Sequence, residues 1–121
     1  MTEMGLELAV KIVEAAEEGL AVDIETLDLQ GLSILADYFV IASGRNSIQV
    51  KSIAEKIEDD LLEAGEKAVR REGFNDGRWI ILDYPGVMVH IFRKEERDLY
   101  QLGKLWGDAP RVDLEKARCM K

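Results

Sequence analysis

The chain has 121 residues, a formal net charge of −8 at pH 7 and a pI near 4.7. That length suits one domain, and about two-thirds of the unfolded surface should be buried at this mass, enough for a real core. The acidic balance argues against broad contact with a phosphate backbone, which binds through Lys and Arg, and suits a basic protein as partner, although acidic charge that merely confers solubility accounts for it equally well.

Leu6, Ala9, Val10 and Val13 fall on one helical face, widened by Leu8 and Ile12, which predicts a helix over Met4–Glu18. Thr2 is its candidate cap and Gly19 its stop. Val22–Leu29 alternates as a strand but slips near Thr26, where a bulge is expected. After a loop through Gln30, Gly31 and Leu32, Tyr38–Ala42 is a continuous apolar run, the mark of a central strand covered on both faces. It ends at Ser43-Gly44-Arg45. A second helix is expected from Asn46 to Ala64, opened by an Asn46/Gln49 capping box and closed at Gly65. Its buried stripe is Val50, Ile53, Ala54, Ile57, Leu61 and Ala64. Ala68–Phe74 carries charged alternates and reads as an edge strand, followed by an Asn75-Asp76-Gly77 turn. Arg78–Tyr84 and Val87–Phe92 are strands joined by a Pro85-Gly86 turn, and Lys94–Leu105 is a last short helix. The order α-β-β-α-β-β-β-α predicts an α/β fold, a single domain with a mixed five-stranded sheet and helices against it. Residues 1–109 form this domain and 110–121 a polar tail.

Few residues are arranged for chemistry. Cys119 is the only cysteine, so no disulfide can form within the chain, which suits a reducing compartment. His90 is the only histidine, and a lone histidine on a strand is more often a packing residue than a catalyst. No zinc set and no nucleophile with an adjacent base can be assembled. No apolar stretch reaches the ~18 residues that cross a bilayer. The amino-terminal segment lacks the basic and apolar regions of a signal peptide, so a cytoplasmic location is expected. Ser43-Gly44, between a strand and a helix, offers backbone N–H groups to an anion but lacks the Walker pattern; turn formation and capping explain it. Nucleotidyl transfer would need carboxylates converging on Mg²⁺, commonly an Asp-x-Asp pair on the strand after the helix. Ala68–Glu72 carries no such pair, and Asp37 and Asp83 flank different strands. No catalytic residue, metal or cofactor is therefore expected. The more informative segment is Arg78–Tyr84. Trp79 and Ile81 point to one face, and Ile80, Leu82 and Tyr84 to the other. Ile80 and Leu82 read as core. Trp79, ringed by Arg71, Glu72, Asp83 and Tyr84, is a candidate binding patch, since exposed Trp and Tyr are favoured interface anchors. Tyr100, Leu102, Leu105 and Trp106 are placed to pack on the sheet or to line a dimer interface.

Several ordered segments together resemble the ribosomal silencing factor (iojap-type) family. Leu35–Gly44 is similar to its A-D-Y-F-V-I-x-S-G signature, and Gln49–Ala54 to the start of its central helix. Trp79–Tyr84 resembles its W-[VIL]-x-[LV]-D strand and Val87–Phe92 its V-V-V-H-[VI]-F strand. Glu96–Leu102 and Leu105–Ala109 resemble its closing E-x-R-x-[FY]-x-L and L-W-x-D-A motifs. Arg45 departs from the small hydroxyl residue usual there, and Pro85 is not required by the pattern. The resemblance implies a nucleotidyltransferase-like α/β domain without catalytic carboxylates. It implies docking on ribosomal protein fourteen of the large subunit, which blocks association with the small subunit and represses translation under nutrient limitation. It further implies a homodimer when free, while the acidic charge predicts little direct nucleic-acid contact, the lack of an apolar span no membrane, and the missing catalytic sets no enzymatic activity. The partner-binding residues carried over are Trp79, Asp83 and Tyr84, with Arg71, Glu72 and His90 beside them. A large-subunit assembly factor is an alternative from the same docking. A small Mg²⁺-dependent nucleotidyltransferase using Asp37 and Asp83 is a more remote one.

Overall fold

A computed structural model describes residues 2–31 and 36–100, with side chains from 5 to 31 and from 36 to 97. The elements, in chain order, are α1 (Thr2–Glu18), β1 (Val22–Asp28), β2 (Tyr38–Gly44), α2 (Ser47–Glu63), β3 (Arg70–Glu72), β4 (Trp79–Tyr84), β5 (Val87–Arg93) and α3 (Lys94–Tyr100). They match the expected order. The expected last helix, Lys94–Leu105, and the tail run beyond Tyr100, outside the described residues, as do Leu102, Leu105 and Trp106.

The strands form one five-stranded sheet in the order β1-β2-β5-β4-β3. β2 and β5 are parallel, and every other pair is antiparallel. The sheet is thus mixed, as expected. The parallel pair exists because α2 carries the chain back across the sheet before β3, β4 and β5 are laid down. Both long helices pack on one face. There Ile12 of α1 and Ile53, Ile57 and Leu61 of α2 meet Val40, Ile80, Leu82, Val89 and Ile91. A second apolar cluster lies on the other face: Leu27, Leu29, Ala36, Phe39, Ile41, Met88 and Phe92, with Trp79 and Ile81 against it. The continuous apolar run of β2 follows from this. Tyr38 and Val40 enter one apolar cluster and Phe39 and Ile41 the other, and all seven residues from Tyr38 to Gly44 are buried. Each fully buried Ile or Leu contributes roughly 1.5–3 kcal/mol.

Local corrections have local causes. The bulge in β1 lies upstream of Thr26: the register shifts between Val22 and Glu25, and Asp23 has φ 51°. Pairing is already regular at Thr26 and Leu27, so the slip in the sequence pattern is the downstream echo of an extra residue. The α1 stop is not Gly19. Ala21 N–H bonds to Ala16 O and Leu20 N–H to Glu17 O, both at 3.0 Å, and Leu20 takes the left-handed conformation at φ 65°. This is the Schellman pattern with leucine in the usual glycine place. The α2 terminus makes the same pattern with Gly65 at φ 88°. At the start of α2, Asn46 Oδ1 accepts from Gln49 N–H at 2.9 Å, as expected. The return bond goes one residue further out, with Arg45 N–H donating to Gln49 Oε1 at 2.6 Å. At the hairpin, Gly86 has φ 80°, which suits a type II turn after Pro85, and its carbonyl accepts from Asp37 N–H and Tyr38 N–H. The turn is thereby fastened to the first residues of β2.

Candidate partner-binding site

Register decides which candidate residues stand together. Trp79 pairs with Phe92, Ile81 with His90 and Asp83 with Met88 across β4 and β5. Arg70 pairs with Asp83, Arg71 with Leu82 and Glu72 with Ile81 across β3 and β4. Cross-strand partners share a face and neighbours along a strand alternate. Trp79, Asp83, Glu72 and His90 therefore lie on the face away from α1 and α2, together with Arg70 and Ile81. Arg71 and Tyr84 lie on the helix face. The expected ring around Trp79 is thus divided, and Arg70 rather than Arg71 is the basic neighbour of Asp83.

Trp79 is half-buried at the start of β4. Its ring stacks on Phe92 with centroids 4.9 Å apart, and its indole N–H donates to His90 Nδ1 at 3.1 Å. His90 is 4% exposed and packs against Phe39 at 4.6 Å. Because Nδ1 accepts, the neutral ring carries its proton on Nε2. Burial pushes the His90 pKa down to about 4, so the ring is neutral at pH 7. Its Nε2 has no hydrogen-bond partner among the described residues. The backbone of Trp79 is also constrained. Gly73, in the loop before β4, has φ 77°, and a Cβ there would lie 2.1 Å from the Trp79 carbonyl oxygen.

Around this aromatic group the charges are loosely tied. Arg70 Nε stands 3.3 Å from Glu72 and its Nη2 3.7 Å from Asp83, all partly exposed. Pairs of that kind contribute well under ~1 kcal/mol and can be exchanged for a partner's groups. Arg71 is engaged elsewhere: Nη1 is 3.1 Å from Glu58 of α2, and the guanidinium lies 4.1 Å over the Phe74 ring. Tyr84 is 2% exposed beneath the helices. Burial, then the charges of Glu58 and Glu66, pushes its phenol up to about 12.

The Ser43-Gly44 turn is occupied by packing. A Cβ on Gly44 would come within 2.9 Å of Val50 Cγ2 and 3.1 Å of Val50 N, so glycine lets α2 start close to β2. Ser43 is fully buried, and Arg97 of α3 donates to its Oγ at 2.7 Å and to Glu25 Oε2 at 2.7 Å. This three-element link between β1, β2 and α3 was not legible beforehand; the only signal was an arginine in the closing motif. Among the described residues, no group of three or more His, Cys, Asp or Glu is placed to hold a metal ion. No described helix is long and apolar enough to cross a membrane.

A family model described as "Ribosomal silencing factor during starvation" matches residues 2–121. The chain belongs to this family. The ribosomal silencing factor RsfS of Bacillus subtilis is 44% identical over 113 residues, covering 93% of this chain and 96% of that one. Among solved structures, protein CV0518 from Chromobacterium violaceum superposes with a TM-score of 0.81 at 35% identity, covering 84% of each chain. A more distant mouse relative, named "Mitochondrial assembly of ribosomal large subunit protein 1", is 30% identical over 73 residues, which are 58% of this chain and 32% of that protein. Membership in a ribosomal silencing factor family agrees with the resemblance read from the ordered motifs, and so does the α/β fold shared with the solved relative.

Proposed function

We propose that this protein represses translation by docking on the large ribosomal subunit, through ribosomal protein fourteen, so that the small subunit cannot join. The carrying observation is Trp79: a half-buried tryptophan held by His90 and Phe92 on the sheet face opposite α1 and α2. Tryptophan is the residue most often found at the energetic centre of an interface. Asp83 and Glu72 lie on the same face, each beside Arg70, and their carboxylates complement a basic ribosomal protein. His90 stands behind Trp79, while Tyr84 and Arg71 support β4 from the helix side. The net charge of −8 favours protein over rRNA as the contacted surface, since phosphate contact would be repulsive. The mechanism is occlusion, so it requires no catalytic step, metal or cofactor. The protein acts in the cytoplasm and is a homodimer when free.

The test is an association assay: purified subunits are mixed with and without the protein and separated by sedimentation. The wild-type chain should lower the joined fraction and co-sediment with large subunits. Trp79→Ala should weaken large-subunit binding by roughly 2–4 kcal/mol, about 30-fold or more in Kd. Co-sedimentation with small subunits alone would overturn the reading. The mouse relative's name supports a second role, in large-subunit assembly, from the same docking. Accumulation of immature large subunits in a deletion strain with normal subunit joining would favour it.

A further inference from the structure

We propose that His90 is the positioning residue of this docking face: by accepting the Trp79 indole N–H, it fixes the indole in its docking orientation before a partner arrives. The inference rests on the reading of Trp79 as the anchor. His90 sits on β5, between β2 and β4, with Phe39, Phe92 and Trp79 all within 6.3 Å, centroid to centroid. At 4% exposure it does not touch a partner itself. A phenylalanine or leucine would fill the same apolar space without bringing a buried Nε2–H that finds no acceptor among the described residues. A polar ring there needs a compensating role, and the one hydrogen bond its ring makes among the described residues is with Trp79.

The geometry suits that role from several sides. Phe92 fixes the plane of the indole by stacking at 27°. Gly73 packs against the backbone carbonyl of Trp79. The His90 bond then selects between the orientations of the indole that stacking alone allows, because only one presents Nε1–H to Nδ1. A side chain already in its bound rotamer loses less freedom on association, so affinity rises without a new contact. The deeply lowered pKa keeps His90 neutral and its Nδ1 available to accept throughout the neutral range.

Two variants separate positioning from packing. His90→Gln keeps an acceptor, and His90→Leu keeps only the apolar volume. The readouts are the Trp79 indole N–H resonance, assigned with Trp79→Phe, and large-subunit affinity by sedimentation. Wild type and His90→Gln should show a downfield, slowly exchanging indole proton and affinities within about twofold of each other. His90→Leu should lose the downfield shift and bind about three- to tenfold more weakly, with its cooperative thermal unfolding retained. If His90→Leu binds like wild type while Trp79→Ala does not, the positioning role is overturned and the docking reading stands. If Trp79→Ala itself binds like wild type, the docking reading fails first. A check on the unmodified protein guards against a misfolded variant: ring nitrogen shifts must show His90 protonated at Nε2 and not at Nδ1. An Nδ1-protonated ring would overturn the proposal on its own.

Discussion

Replacing Gly73 with alanine places a methyl carbon 2.1 Å from the carbonyl oxygen of Trp79, well inside contact distance. Two other glycines provide the control. Gly31 at φ 79° and Gly65 at φ 88° share the left-handed backbone, but a Cβ on either meets nothing within 4 Å among the described residues. Gly31→Ala and Gly65→Ala should therefore cost only the conformational term, about 1 kcal/mol. Gly73→Ala carries that term plus a clash with backbone, which no rotamer change relieves. The β3–β4 loop must move, and the total should reach about 3 kcal/mol or more. For a domain of this size, about 4 °C of Tm per kcal/mol is expected, so the controls fall by a few degrees and Gly73→Ala by more than about 10 °C. Thermal unfolding followed by circular dichroism, together with urea titration, measures all three. A Gly73→Ala loss within about 0.5 kcal/mol of the Gly65→Ala loss would refute the claim that this close approach fixes the Trp79 backbone.

His90 gives an acid dependence. Its pKa is 6.5 as a free side chain and about 4 when folded, so the unfolded chain binds the proton first and stability falls as pH drops between those values. Compared with His90→Gln, which cancels the carboxylates common to both, the wild type should lose about 2–3 kcal/mol between pH 7.5 and 4.5. An unchanged difference in urea unfolding at the two pH values would contradict a buried neutral ring. Arg97→Met should destabilise by about 2 kcal/mol, because it leaves the buried Ser43 hydroxyl without its charged donor. In a double-mutant cycle with Ser43→Ala, a coupling near zero would mean that the link carries no stability.

Periodicity made most of the fold legible. The α1 stripe, the α2 stripe apart from Ala64, which is exposed past the helix end, the apolar β2 run and the Pro85-Gly86 turn each follow from local rules, and the observed elements agree to within a few residues. The candidate site was legible only in part. Alternation along β4 already separates Trp79 from Tyr84. It says nothing of β3, because which face Arg70 and Arg71 take depends on pairing with Asp83 and Leu82, and a shift of one residue exchanges them. Leu20 at the end of α1 misled for a similar reason. Gly19 is the better local stop, yet the carbonyls that need donors are those of Ala16 and Glu17, and they are met one residue later.

Trp79 shows where the two levels divide. Sequence alone determined that a tryptophan begins a strand with apolar residues on both sides, in a chain of net charge −8. Tertiary structure decided that α1 and α2 pack on the opposite face. It also decided that His90, eleven residues away, accepts the indole proton, and that Gly73 presses on its carbonyl. These are contacts between strands and across a loop. Their existence depends on register and close approach, which are properties of the assembled sheet and not of any segment within it.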